Sequence, residues 1–191
     1  MNVVVTGGGT IAPIDDVRRI TNTSSGAFAA ALTEACLDAG AMVWHIHAPT
    51  AQLPLFRHAT FDLDAPADGP EMARLVRLQR RYRACRERLA LLPLAEGTVA
   101  DYQRTLRTLL QMHPIDVAFL AMAVSDYEPE RIAGKLDSKP EELVIRCHRT
   151  PKVIRSVRDW APDVYLVGFK LLSRVSEDHL IAVARSECAT N

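Results

Sequence analysis

Hydrophobic and polar positions alternate along the first fifty residues in a pattern typical of a strand, a helix and a second strand. Residues 3–5 form a β-branched run that ends at a glycine cluster, which predicts a buried strand followed by a loop. The Ser- and Thr-rich stretch 21–26 is an N-cap signal for a helix over 27–39 that stops at Gly40. The side chains expected on the buried face of that helix are Phe28, Leu32, Ala35 and Cys36. Residues 43–48 predict the second strand.

The remainder of the chain repeats this alternation. Two further buried strands are predicted over 117–124 and 164–169. Helices are predicted over 99–112, 151–160 and 176–188. Strands that alternate with helices favour a parallel sheet covered on both faces, so we expect a Rossmann-like α/β domain with a mostly parallel sheet and helices on both faces.

Residues 66–97 break the alternation and predict an inserted helix within a single domain spanning 1–191. Six apolar residues recur there at spacings of three and four, which predicts a helix over 72–92 with one apolar stripe: Leu75, Leu78, Tyr82, Cys85, Leu89 and Leu92. Residues 93–97 are short enough to fold this helix back on the next one as a hairpin. We therefore expect the stripe to pack on the helix at 99–112 or on a partner subunit.

Composition narrows the class of protein. Apolar residues make up 48% of the 191 residues, and 23 Lys and Arg balance 23 Asp and Glu. This balance favours a soluble, cytoplasmic globule with no overall attraction to nucleic acid, and no run reaches the roughly 18 apolar residues of a membrane span. Seven arginines flank the predicted insertion stripe, but without aromatic interleaving they favour a solvated face over nucleic-acid binding. The four cysteines are widely spaced, so we expect reduced and mostly buried thiols.

The glycine cluster and the polar stretch after it suggest a two-part anion site. Residues 7–12 match the dinucleotide fingerprint, but Pro13 stands where that fingerprint needs a helix, and no acidic residue ends the strand at 43–48. What remains is a loop of backbone N–H groups (Gly7, Gly8, Gly9 and Thr10) together with the hydroxyls and helix start at Ser24, Ser25 and Gly26. Phosphate is the ligand that we expect at this anion site. The alternative is a glycine turn and an ordinary helix cap.

Further polar residues follow the later strands. In an open parallel sheet, Asp126 would face the same crevice as the glycine loop, where it could hold a divalent metal on a triphosphate. Lys135 could neutralise charge on phosphorus, and the ring of Phe169 could stack on a base. The alternatives are an Asp that caps a turn, a surface lysine and a core phenylalanine. His45 and His47 share a strand face, but without a third ligand they are not expected to bind zinc.

These motifs together resemble phosphopantothenoylcysteine synthetase of coenzyme A biosynthesis. The segments that carry the resemblance are Thr6–Thr10, Pro13–Asp15, Val17-Arg18, Ile20–Gly26, Ala123–Tyr127, Lys135, Thr150–Lys152, residues 167–172 and Glu177–Leu180. The last two look most like the stand-alone bacterial form. The resemblance implies a ligase in which the carboxylate of 4'-phosphopantothenate attacks the α-phosphate of CTP, or of ATP in eukaryotic relatives. The cysteine amine then displaces the nucleotide from the acyl-nucleotide.

The resemblance also implies roles for particular residues, together with Mg²⁺ and a homodimer. Asn22 would lie beside the acyl-nucleotide, Lys135 at the reacting phosphate, and Asp126 at the metal. Arg18 would reach the pantothenate phosphate across the dimer interface. The nucleotide would contact Gly7, Gly8, Gly9, Thr10, Ser24, Ser25, Gly26, Ala123 and Phe169. Family chains continue past residues 189–191 with a further strand and a closing strand and helix, so a C-terminal part is expected to be missing here.

Two other functions remain open at this point. A nicotinamide-dependent oxidoreductase would use Gly7 and Gly9 for its cofactor. A non-catalytic nucleotide-binding domain would bind the nucleotide without turnover. The ligase, with CTP favoured over ATP, is the function that we expect.

Overall fold

A computed structural model describes residues 1–190 of the chain. In chain order its helices and strands are β1 (Asn2–Gly7), β2 (Ile11–Pro13), β3 (Arg19–Thr21), α1 (Ala27–Asp38), β4 (Met42–His47), α2 (Pro70–Cys85), β5 (Leu89–Pro93), α3 (Val99–Met112), β6 (Val117–Leu120), β7 (Tyr127–Pro129), β8 (Cys147–Arg149), α4 (Val157–Trp160), β9 (Tyr165–Gly168) and α5 (Glu177–Thr190). Short 3₁₀ turns lie at Phe56–His58, Arg86–Arg88 and Val153–Ser156.

Five of the strands form one parallel sheet in the order β5-β4-β1-β6-β9. The central strand β1 is buried from both sides, and Val3, Val4 and Val5 have no exposed surface. Alternate side chains of a strand point to opposite faces, so Val4 belongs to one apolar cluster, and Val3 and Val5 belong to the other.

Each face of the sheet is covered by helices, which confirms the predicted Rossmann-like architecture. On one face, α1 contributes Ala29, Cys36 and Leu37 to the cluster around Val3 and Val5. On the other face, α3 contributes Tyr102, Leu106 and its neighbours to the cluster around Val4, together with Val157 of α4.

The predicted helix over 72–92 is wrong in its last third. The helix α2 ends at Cys85, and after a 3₁₀ turn residues 89–93 form β5, which pairs in parallel with β4 at one edge of the sheet. Leu89 packs on the α1 face whereas Leu92 packs on the α3 face, as expected of residues three apart in a strand. A contiguous apolar run such as residues 89–92 satisfies a helical and a buried-strand pattern alike, which is why spacing alone misassigned it.

The predicted hairpin of α2 on α3 is also wrong. Because β5 intervenes, α2 crosses to the face of α1, where Leu78 and Tyr82 pack beside the cluster around Val3 and Val5. Two arginines of this segment attach it to α1 and to the residues that follow α1. Arg81 forms an ion pair with Asp38 at 2.7 Å. Arg88 donates to the carbonyls of Leu37 and Ala41 at 2.8 and 3.1 Å.

The start and the buried face of α1 also differ from the prediction. Gly26 is the N-cap, with a positive φ of 77°, and no side chain caps the helix. Phe28 and Ala35 are exposed, while Cys36 is buried and Leu32 is partly buried. The buried positions include Thr33 and Glu34, polar residues that an apolar pattern does not predict.

Several helices and strands in the second half of the chain are shorter than predicted. The strand β6 ends at Leu120, although Ala123 still bridges to Gly9, and the helix expected over 151–160 is a 3₁₀ turn followed by the short α4. The antiparallel ribbons β2–β3 and β7–β8 were not predicted. Of the four free cysteines, Cys147 and Cys188 are exposed, which corrects the expectation of mostly buried thiols. Among residues 1–190, no helix has the length and apolarity needed to cross a bilayer.

Candidate functional site

A crevice of about 300 Å³ opens at the carboxyl ends of β6 and β9. Its lining includes three of the residues that the sequence singled out, Ala123, Asp126 and Phe169, and adds Tyr102, Lys152 and Lys170. Gly7–Thr10, Asn22, Ser24–Gly26, Lys135 and Arg18 are not part of this lining. The position at the strand ends is where open parallel sheets bind ligands.

The glycine loop (residues 7–10) is packed too tightly for a side chain at Gly7 or Gly8. A Cβ on Gly7 would lie 2.4 Å from the Cβ of Ala29 in α1. Gly8 has a φ of +90°, and a Cβ there would lie 2.7 and 2.8 Å from the Cβ atoms of Ala48 and Ala51. These two glycines therefore allow α1 and the segment after β4 to approach the end of β1.

Asn22 closes over the same loop from the other side. A Cβ on Gly9 would lie 2.8 Å from the backbone oxygen of Asn22. The Asn22 side chain donates from Nδ2 to the carbonyl of Ala123 at 2.9 Å, and the N–H of Thr10 donates to that same carbonyl at 3.0 Å. Asn22 is thereby fixed at the crevice wall through Ala123.

Thr10 fastens the loop to the end of β6. Thr10 has no exposed surface, and its Oγ1 accepts a hydrogen bond from the N–H of Ser125 at 2.8 Å. The hydroxyl of Thr21 in turn donates to the Thr10 carbonyl at 3.0 Å. Because the Thr10 side chain is enclosed, any contact it makes with a ligand is indirect.

The start of α1 presents an accessible polar face. Ser24 and Ser25 are exposed, and the Ser25 hydroxyl accepts from the N–H of Ala27 at 3.4 Å. Gly26 adjoins the glycine loop, since a Cβ there would lie 3.3 Å from the nitrogen of Gly8. The two halves of the predicted anion site are therefore neighbours, with the positive end of a helix between them.

Asp126 forms an ion pair with Lys152 at the mouth of the crevice. Lys152 Nζ donates to Asp126 Oδ1 at 2.5 Å, and both side chains are more than half exposed, at 56% and 63%. No group of three metal-ligating side chains occurs among residues 1–190. A single exposed carboxylate fits Mg²⁺ that arrives on substrate phosphates rather than an all-protein metal cage.

Phe169 is exposed and meets a second aromatic ring. It packs edge-to-face on Phe28 of α1, with ring centroids 5.0 Å apart and an interplanar angle of 78°. The alternative of a core phenylalanine is therefore wrong. Phe28 was assigned to the core by its helical spacing, and its place beside Phe169 could not be read from sequence.

Lys135 and Arg18 lie near each other, and neither is part of the crevice lining. Lys135 is exposed on the loop between β7 and β8. Arg18 Nη1 donates to Asp15 Oδ2 at 2.6 Å and to the carbonyl of Leu136 at 3.4 Å. Asp15 itself is a buried carboxylate that the sequence reading did not single out.

Two buried polar groups lie between the sheet and its helices. His45 is fully buried, its Nδ1 lies 2.7 Å from Thr33 Oγ1, and its Nε2 has no hydrogen-bond partner among the described residues. Burial, assisted by the neighbouring His47, lowers the pKa of His45 to about 4. The hydroxyl of Tyr102 lies 3.4 Å from Thr6 Oγ1, and burial raises the pKa of Tyr102 to about 12.

The family model for the C-terminal domain of DNA/pantothenate metabolism flavoproteins matches residues 1–73 and 97–188. This chain belongs to that family. The match omits residues 74–96, which contain most of α2 and all of β5. The division into one domain with an insertion at 66–97 stays a prediction.

Named relatives and solved structures agree with this membership. The chain is 30% identical to the coenzyme A biosynthesis bifunctional protein CoaBC of Thermococcus kodakarensis, over 97% of this chain and 38% of the relative. It is 31% identical to human phosphopantothenate--cysteine ligase, over 88% of this chain and 63% of the relative. It also superposes on a Cab2 mutant in complex with phosphopantothenate-cysteine, at a TM-score of 0.81 and 26% identity, over 100% of this chain and 70% of that one. The chain therefore spans less than two thirds of the two curated relatives.

Proposed function

We propose that this chain carries the ligase chemistry that joins 4'-phosphopantothenate to cysteine in coenzyme A biosynthesis, at the expense of a nucleoside triphosphate. The observation that carries the proposal is the crevice at the ends of β6 and β9, in a fold that superposes along its whole length on a protein holding phosphopantothenate-cysteine. The curated relative named phosphopantothenate--cysteine ligase supports the same reaction.

The reaction proceeds in two balanced steps. A carboxylate oxygen of 4'-phosphopantothenate attacks the α-phosphorus, which forms an acyl-nucleotide and releases pyrophosphate. The cysteine amine then attacks the acyl carbon, forms the amide bond and loses a proton, while the bond from the acyl carbon to oxygen breaks and the nucleoside monophosphate leaves. The first step places negative charge on phosphorus, so the protein must supply cations rather than a side-chain nucleophile.

The exposed groups around the crevice match these needs. Ser24, Ser25 and the helix start at Gly26 would hold the phosphates, and Phe169 would contact the base. Asn22, fixed against Ala123, would lie beside the activated carboxyl group. Lys135 would neutralise charge at the α-phosphate once the substrates are bound, and Arg18 would contact the phosphate of pantothenate from a partner subunit in a homodimer.

Asp126 is the residue that would bind Mg²⁺. When it is present, the ion supplies charge neutralisation on the triphosphate. Lys152, which pairs with Asp126 in this structure, remains within the crevice and would contact the phosphates when the carboxylate binds another cation.

Structural features count against the oxidoreductase. The fingerprint needs a helix directly after its glycines, whereas here the glycine loop leads into β2 and α1 begins only at Ala27. The end of β4 carries His47 followed by Ala48, so it offers no carboxylate to accept from the ribose hydroxyls.

Release of pyrophosphate tests the proposal. The chain is mixed with 4'-phosphopantothenate and either CTP or ATP, with and without cysteine. We expect pyrophosphate to depend on 4'-phosphopantothenate, with CTP preferred to ATP, and amide product to require cysteine. Nucleotide binding without pyrophosphate would favour the non-catalytic domain, and NADH binding without CTP binding would favour the oxidoreductase.

Lys135→Gln separates the chemistry from nucleotide binding. Loss of one electrostatic donor should slow pyrophosphate formation by on the order of 10² to 10³. Nucleotide affinity should fall much less, because the helix start of α1 and Asp126 are unchanged. Pyrophosphate release at the parental rate would mean that Lys135 is a surface residue without a catalytic role.

A further inference from the structure

The loop that carries Lys135 is attached to the rest of the protein at the two residues beside it. The N–H of Leu136 donates to Asp15 Oδ2 at 3.0 Å. The N–H of Gly134 donates to Asp16 Oδ2 at 3.1 Å, and the N–H of Asp16 donates back to the carbonyl of Gly134 at 2.9 Å. Lys135 is thus held by its backbone neighbours while its own side chain stays exposed.

Asp15 is the buried member of this attachment. Its side chain has no exposed surface, and it accepts from four donors. The donors are the backbone N–H groups of Val17, Arg18 and Leu136 and the guanidinium of Arg18. The hydrogen bond from Leu136 is the largest cause that holds the pKa of Asp15 below its usual range, and burial opposes it.

The attachment continues to the crevice wall. Asp15 follows β2, which begins directly after Thr10, and β2 pairs with β3, which ends one residue before Asn22. Thr10 and Asn22 both donate to the carbonyl of Ala123 in the crevice lining. Hydrogen bonds together with the β2–β3 ribbon therefore connect the backbone around Lys135 to the crevice.

We propose that Asp15 is a positioning residue for Lys135, fixing its backbone relative to the crevice so that the ammonium group meets the reacting phosphate. This inference rests on the proposed function. A negative, fully enclosed carboxylate suits the task because it accepts from several N–H groups at once, which a neutral amide cannot match. Displacement of a reacting group by about 1 Å can cost 10²-fold in rate.

Asp15→Asn in the full chain tests the proposal, with Asp101→Asn as its matched control. Asp101 is also buried and accepts from two backbone N–H groups, those of Glu96 and Gly97, and from Arg104, but it lies at the start of α3. We expect Asp15→Asn to slow pyrophosphate formation ten- to hundredfold with little change in nucleotide affinity. Amide hydrogen exchange should accelerate at Gly134 and Leu136 in Asp15→Asn and not in Asp101→Asn.

A double-mutant cycle with Lys135→Gln decides whether Asp15 acts through the lysine. If it does, Asp15→Asn causes little further loss of rate once Lys135 is replaced. Equal losses in both backgrounds would overturn the proposal, as would an Asp15→Asn protein with parental rate and parental exchange at Leu136.

Gly134→Ala provides a second route if Asp15→Asn does not fold. Gly134 has a φ of +78° and open space around it, so a Cβ there disturbs the loop backbone without touching the core. We expect the same direction of change in rate and in exchange, and an unaltered rate despite faster exchange would overturn the proposal. If the parent releases no pyrophosphate, the proposed function fails, while exchange at Leu136 in Asp15→Asn still decides whether Asp15 holds the loop.

Discussion

The glycine loop (residues 7–10) and the crevice rim (Asp126, Lys152 and Phe169) differ in almost every physical respect, although Ala123 joins them. The loop is buried, and its glycines lie within about van der Waals contact of α1, of the segment after β4 and of Asn22. The rim is exposed, and its side chains make few contacts. The loop is therefore part of the packed interior, whereas the rim is accessible from solvent.

The largest expected effect is at Gly8. Gly8→Ala adds the cost of a positive φ to a clash with Ala48 and Ala51, so the free energy of unfolding should fall by about 3 to 4 kcal/mol. Gly40→Ala is the matched control, since Gly40 has a φ of +85° but nothing within 4 Å of its added Cβ. Gly40→Ala should lower the free energy of unfolding, measured by denaturant titration, by only about 1 to 2 kcal/mol. Equal losses would mean that the loop is not tightly packed.

Acidification should lower the free energy of unfolding through His45, which lies beside Gly7 of the glycine loop. Its pKa is about 4 when folded and 6.5 otherwise, so the unfolded chain binds the proton first. The contribution is fully present above pH 6.5 and is lost as the pH falls towards 4, by up to about 3 kcal/mol. His45→Gln should flatten the dependence of unfolding free energy on pH in this window. A parental slope in His45→Gln would contradict the account.

At the rim, Phe169→Ala should reduce nucleotide affinity about fivefold, since an aromatic contact contributes about 1 kcal/mol beyond burial. Phe56→Ala is the matched control: its ring is equally exposed, at 47%, and pairs edge-to-face with Tyr82 at 5.3 Å, away from the crevice. Calorimetric titration should show affinity lost in the first variant only. Similar losses in both would remove Phe169 from the binding site.

The smallest expected effect is on stability at Lys152. Lys152→Met breaks an exposed ion pair and should change the free energy of unfolding by less than about 0.5 kcal/mol. Arg57→Met, which removes a partner of the buried Glu34 carboxylate, should cost about 2 kcal/mol. If the two variants were equally destabilised, the rim would be as structurally constrained as the interior.

The contrast between the packed glycine loop and the exposed crevice rim also explains which features could be predicted from the sequence. Four strands of the sheet, β1, β4, β6 and β9, and the glycine loop were predictable because buried β-branched runs and glycines at strand ends reflect packing at short range. Residues 89–92 were misassigned because an apolar run fits both periods, and only the pairing of β5 with β4 decides between them.

Part of the site depends on contacts between distant segments and could not be predicted. Nothing local links Asp15 to Leu136, 121 residues away, or Phe28 to Phe169. Lys152 belonged to a recognisable motif, but its pairing with Asp126 needed the fold. The candidate residues were therefore identified as separate motifs. The structure shows that Ala123, Asp126 and Phe169 share the crevice lining and that Asp15 and Asp16 hold the backbone around Lys135.

Transfer of an oxygen label tests the central claim most directly. 4'-Phosphopantothenate carrying ¹⁸O in its carboxylate is incubated with the protein, CTP and cysteine. The masses of the products are then measured by mass spectrometry. Attack of the carboxylate on the α-phosphorus predicts one ¹⁸O atom in the nucleoside monophosphate and none in pyrophosphate. Label in orthophosphate, with release of a nucleoside diphosphate, would show transfer of the γ-phosphoryl group instead and would contradict the account.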